Sequence, residues 1–187
     1  MEKPQMNVIE ERSLRRWAYV LLAITWLCIA WLIWDLVKAV LGIDFQLGFF
    51  TKDGIQSFSG EDFSLDQRLV LVAIESVPTF CWLYSLWQIM RMAIGFSRGE
   101  ILTQRAVGYL EHFGWGMVGL AVSDTLLLVA IGEYLVTIGK IPSFEDHWKY
   151  MLESGFQINL MAALLIMIIS RILRIGIRLR EDAELTI

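Results

Sequence analysis

Charge is what this chain has least of. Only 19% of its 187 residues are Asp, Glu, Lys or Arg, while 56% are hydrophobic. An ordinary soluble domain runs at about 25% charged and about 45–50% apolar. Histidine and cysteine each occur twice and proline three times. Cys28 and Cys81 lack zinc-ligand spacing and neighbouring ligands, which argues against a metal role. Both thiols are expected to pack as small buried hydrophobes. No Ser/His/Asp arrangement, phosphate-cradling glycine loop or HExxH is present, so the expectation is a non-enzymatic protein with no metal and no cofactor. A net charge of −4 argues against nucleic acid as a direct ligand.

The apolar excess is gathered into four blocks. Trp17–Trp34 and Gly155–Ser170 carry no charged residue; Leu69–Met90 carries only Glu75 and Phe113–Gly132 only Asp124. A membrane span needs roughly 17–25 predominantly apolar residues. A soluble bundle would show a polar stripe along each helix, and none here is wide enough. The expected fold is therefore all-α: one integral-membrane four-helix bundle over residues 1–187, with helices at about 14–41, 66–96, 113–138 and 153–180. Pro78 should kink the second helix by removing a backbone hydrogen bond.

A polar stretch, Phe96–Gly116, divides the blocks two and two. Arg91, Arg98 and Arg105 make it basic, and Gly95 and Gly99 can end the second helix. Thr103 can cap a short amphipathic connector helix over about 103–112, with Ala106, Val107, Leu110 and Phe113 along one side. Such a helix would lie at the membrane interface and turn at Gly114 into the third span. The competing reading is a plain solvated loop. The segment 42–67 is acidic and rich in phenylalanine. Its alternation allows a short hairpin closed near Lys52-Asp53-Gly54, and its phenylalanines would cap the bundle or dip into the headgroups. Gly116, Gly119, Ser123 and Ala130 give the third helix a small-residue face for close packing.

Lysine and arginine set topology. Eleven of the sixteen lie in the N-terminal arm, the central connector and the C-terminal end. Both termini and the connector are therefore expected in the cytoplasm, and the acidic loop outside. This puts His112 and His147 on opposite sides, so they cannot share a metal. Trp17, Trp34, Trp115 and Trp148 fall near the interfaces, whereas Trp26, Trp31, Trp82 and Trp87 are expected to pack between helices.

Two patterns carry a resemblance. Phe96, Gly99, Thr103, Leu110, Gly114 and Trp115 meet F-x-x-G-x-x-x-T-x-x-x-x-x-x-L-x-x-x-G-W, and Arg171–Ile187 meets R-x-x-R-x-G-x-x-L-R-E-D-x-E-L-T-I. The chain resembles the bacterial membrane proteins grouped as domain of unknown function 2975, over essentially its whole length. It departs from the first pattern at Glu100-Ile101-Leu102, where a Pro-Phe pair is common, and at Arg105, where many members carry a small residue or Asn. The resemblance implies four helices in the same arrangement and no assigned activity. Members are often encoded beside a small helix-turn-helix regulator, which implies a membrane partner for a transcription factor.

Two sets of residues could carry function. An ionised carboxylate at mid-bilayer costs about 2.5–3.5 kcal/mol on insertion scales. Counted along their helices, Glu75 and Asp124 could share one level in the outer half, with Thr79 and Asn159 at compatible depth. The sharp reading is a polar cavity for a cation, a small polar ligand or protons, as in a small oligomeric transporter or immunity-type protein. The bland reading is single hydrogen bonds to neighbouring helices. The second set is cytoplasmic: Arg98, Arg105, Arg171, Arg174 and Arg178, followed by Glu181 and Asp182. These would dock a regulator, or simply anchor the chain to anionic lipid.

Overall fold

The computed structural model describes residues 8–43, 46–51, 54–100, 103–142 and 156–185. Helix α1 runs Val8–Leu41. Strands β1 (Gln46–Thr51) and β2 (Gly54–Ser59) follow, then a single 3-10 turn, Gly60–Asp62. Helices α2 (Leu65–Ser97), α3 (Gln104–Thr137) and α4 (Phe156–Leu185) complete the chain. Each helix contains a stretch of 28–34 residues long and apolar enough to cross a membrane. The hairpin is antiparallel, with register running from Gln46↔Ser59 to Thr51↔Gly54, as the alternation predicts.

The helix ends follow from local chemistry. At the start of α2, Gln67 N–H donates to Ser64 Oγ (3.4 Å) and Ser64 N–H to Gln67 Oε1 (3.0 Å), a reciprocal capping box. At its end, Gly99 takes φ +82°, Glu100 N–H donates to Gly95 O (3.0 Å) and Gly99 N–H to Phe96 O (3.1 Å). This pairing ends a helix by using a residue that tolerates the left-handed region. The same stop recurs at Gly42 and Gly139. Thr103 caps α3, its Oγ1 accepting from Ala106 N–H at 3.2 Å.

The separate connector helix expected over 103–112 is corrected. Helix α3 is continuous from Gln104 to Thr137 and passes straight through Gly114. Gly114 is buried: a Cβ there would lie 2.8 Å from Met167 Cγ on α4. The glycine serves close helix packing instead of a bend. Helix α2 likewise continues through Pro78. Glu181 and Asp182 belong to the body of α4 and do not form a detached tail. The expected start of the fourth helix near residue 153, and His147 and Trp148, lie outside the described residues.

The chain divides into two compact units. The first holds residues up to 29, 83–117 and from 161 onward. Its buried side chains include Leu86, Met90 and Ala93 of α2, Val107 and Met117 of α3, and Ala163 of α4. The second holds residues 30–82 and 118–160. Its core is Phe63, Leu71, Ile131, Leu135 and Ile141, with Phe58 and Ile74 packed against it. Phe63 is only 3% exposed and carries the Lys140 ammonium 5.6 Å above its ring.

Tryptophan corrects another expectation. Trp26, Trp31, Trp82 and Trp87 are all exposed, Trp31 at 64%. Cys28 is exposed too, and Cys81 half-buried. Only 6% of the most apolar window of α1 is buried, against 44% for α3. An apolar exterior costs nothing in lipid, so large aromatics are admitted there as readily as inside.

Candidate functional site

The carboxylate set lies in the second unit. Asp124 on α3 faces Asn159 on α4, whose Nδ2 donates to Asp124 Oδ2 at 3.5 Å. Both are half-buried. Glu75 on α2 is also half-buried. No hydrogen bond joins Glu75 to Asp124 among the described residues. Thr79 turns its hydroxyl back onto its own helix, donating to the Glu75 backbone carbonyl at 3.1 Å. The structure thus brings Asp124 and Asn159 together, while the Thr79 hydroxyl donates within its own helix. Among the described residues, no three His, Cys, Asp or Glu side chains are placed to hold a metal.

The basic set lies in the first unit, and the structure divides it. Arg174 of α4 is half-buried and ion-paired through Nη2 to Glu111 Oε2 of α3. Beside it, His112 Nδ1 and the Tyr84 hydroxyl of α2 lie 3.1 Å apart in a hydrogen bond. Consecutive residues of α3 therefore tie that helix to α4 and to α2. Arg171 and Arg178 stay exposed on α4, as do Glu181 and Asp182. Arg98 and Arg105 are exposed at the turn between α2 and α3.

That turn holds a feature the sequence reading did not single out. Arg91, Arg98 and Arg105 line a cavity of about 260 Å³, together with Glu100, Thr103 and Tyr109. The Arg91 guanidinium sits 5.7 Å from the Trp87 ring centroid and 5.5 Å from that of Tyr109. The available signal was the placement of three arginines around one glycine stop: Arg91 in α2, Arg98 at its C-terminal cap and Arg105 in the first turn of α3. A second, larger recess of about 850 Å³ lies between α2 and α3 in the other unit. It is almost wholly apolar, and Gly119, Ser123 and Ala130 of the small-residue face contribute to it.

Outside the spans, one carboxyl among the described residues is clearly perturbed. Asp62 accepts from Ser59 N–H (2.6 Å) and Ser59 Oγ (3.0 Å). These bonds, the backbone one foremost, favour the charged form and hold its pKa below the ordinary aspartate value.

Comparison with known proteins agrees with the patterns at the connector and the C-terminus. A family profile described as protein of unknown function (DUF2975) matches residues 57–187. The match takes in the end of β2 and all of α2, α3 and α4, including Phe96–Trp115 and Arg171–Ile187. No curated protein matches the chain, and no solved structure does. With well over half of its length covered, the chain belongs to the DUF2975 family of proteins of unknown function.

Proposed function

We propose that this chain is a non-enzymatic, multi-pass protein of the bacterial inner membrane that binds or sequesters a cytoplasmic helix-turn-helix regulator. Both termini and the α2–α3 turn face the cytoplasm in this reading, as the distribution of lysine and arginine favours. The helices of 30–34 residues are about 45–51 Å long at about 1.5 Å per residue, against a hydrocarbon core of about 30 Å. Their charged ends therefore extend beyond the core.

The observation that carries the proposal is the split of the α4 arginine ridge. Arg174 is spent on Glu111, whereas Arg171 and Arg178 remain outward on a helix that continues to Leu185. A ridge needed only for internal packing would not present two of its three guanidiniums outward. With Glu181 and Asp182 beyond them, the end of α4 offers both signs of charge along a rigid helix, suited to a charged partner surface. The transporter reading has less support, since no hydrogen bond joins Glu75 to Asp124 among the described residues.

The test is purification from the native host in mild detergent, with mass and co-purifying proteins read together. A stoichiometric regulator should appear and be lost in an Arg171→Glu/Arg178→Glu variant, while Glu75→Gln and Asp124→Asn leave it bound. A homo-oligomer with no companion would overturn the reading and return weight to the carboxylates.

A further inference from the structure

We infer that the cavity at the α2–α3 turn is a binding site for a phosphate group, held by Arg91, Arg98 and Arg105. This inference stands without the docking proposal, because the lining residues belong to this chain and no partner protein is needed.

Three arginines line one recess, and one acidic residue, Glu100, shares it. The excess of positive charge occurs in a chain whose net charge is −4, so it is not a reflection of overall composition. All three cations are arginine. The planar guanidinium fork matches two oxygens of a phosphate at once, which a lysine ammonium does not. Arg91 is held beside two aromatic rings, with its guanidinium carbon 5.7 Å from the Trp87 centroid and 5.5 Å from that of Tyr109. Among the described residues no carboxylate pairs with any of the three, whereas Arg174 nearby in the same unit has found one.

The backbone agrees with the side chains. The cavity includes Thr103, the cap of the 34-residue helix α3, whose first turn has no acidic residue. That end of the helix carries partial positive charge. A volume of about 260 Å³ falls just short of the roughly 300–1,000 Å³ of drug-sized ligand sites. It suits a phosphate with a small ester substituent better than a nucleotide-sized cofactor. That phosphate could belong to a lipid headgroup or be free in solution.

The full-length protein, purified in neutral detergent, would be titrated with inorganic phosphate by calorimetry. The same protein would be moved into nanodiscs of mixed phosphatidylglycerol and phosphatidylcholine, and retained lipid counted by native mass spectrometry. Selective retention of phosphatidylglycerol without phosphate binding supports the site with a headgroup as its source. Phosphate binding that displaces the lipid supports it with a soluble source. In either case Arg98→Gln/Arg105→Gln should weaken binding about thirty-fold, and Glu100→Gln should strengthen it about five-fold. Arg98→Lys/Arg105→Lys keeps the charge and checks that the fold survives; it should fall between wild type and the Gln pair. Absence of selectivity for either probe overturns the inference. So does an equal loss in Arg171→Gln/Arg178→Gln, which would reduce the effect to diffuse surface charge.

Discussion

Three glycines on α3 make a graded test of how closely that helix is packed. A Cβ on Gly108 would meet nothing within 4 Å. On Gly119 it would lie 3.4 Å from Cys81 Sγ, an ordinary contact. On Gly116 it would lie 2.2 Å from Ser85 Oγ, with Tyr84 Cδ1 at 3.2 Å and Ser85 Cβ at 3.3 Å. Ser85 is fully buried, so it has no open side to retreat to. Each glycine is interior to the helix, so replacement by alanine brings each the same backbone gain, up to about 1 kcal/mol. That gain cancels when the variants are compared. What remains is the steric cost at Gly116, about 1–3 kcal/mol for overpacking a filled site. The order of stability should be Gly108→Ala first, Gly119→Ala close behind and Gly116→Ala last. Unfolding by SDS or heat in mild detergent, followed by tryptophan fluorescence, reads that order. A Gly116→Ala protein as stable as Gly119→Ala would refute the close approach of α2 and α3.

The remaining predictions concern charge and turns. A double-mutant cycle with Glu111→Gln and Arg174→Gln should give a coupling of about 1 kcal/mol, between exposed and buried pairs, because the side chains are 26% and 35% exposed; additive single effects would show that the pair does not bind the helices. Asp62 has a depressed pKa in the folded protein, so its contribution is present above the unfolded aspartate pKa and is lost as pH falls through the lower folded value. An acid titration of stability should therefore be flatter for Asp62→Asn, and identical curves would exclude the Ser59 bonds as its cause. Gly42→Ala should destabilise by about 1–2 kcal/mol from its left-handed φ of +72° alone. It should cost more because Arg68 Nη1, which reaches the Leu41 carbonyl, occupies the site of the new methyl. Truncating Arg68 in the Gly42→Ala background should recover only the second part.

Much of the fold could be read from the sequence because lipid imposes a length and a composition on each span. The helix stops could be read too: Gly99 ends α2 and Thr103 begins α3 as their chemistry requires. The failures share one cause. In water, the contrast between apolar and polar faces tells which side of a helix is buried. In a bilayer both faces are apolar, and that contrast is gone. Trp26 and Trp31 were therefore assigned to the interior with no periodicity to correct the error. Gly114 failed for a related reason, since a glycine looks the same in sequence whether it bends a chain or admits a neighbour. The pairing of Arg174 with Glu111, 63 residues apart, leaves no local pattern at all.

The same reasoning separates polar residues that mark a site from those that do not. A hydroxyl within a span has a partner built into its own helix, the carbonyl three or four residues back. Thr25, Ser76, Thr79, Ser123, Thr125 and Ser170 all take it, donating to Leu21, Ala73, Glu75, Leu120, Ala121 and Met167 at 2.7–3.1 Å. The hydroxyls of Ser76, Thr79, Ser123 and Thr125, near in sequence to Glu75 and Asp124, therefore do not by themselves mark a cavity. A carboxylate has no proton to give that carbonyl and must find a partner on another helix or stay solvated, as Asp124 does in meeting Asn159. Counting only groups without a local outlet removes most of the apparent polarity of the spans. It leaves the arginines around the α2–α3 turn as the densest set of donors without a carboxylate partner among the described residues.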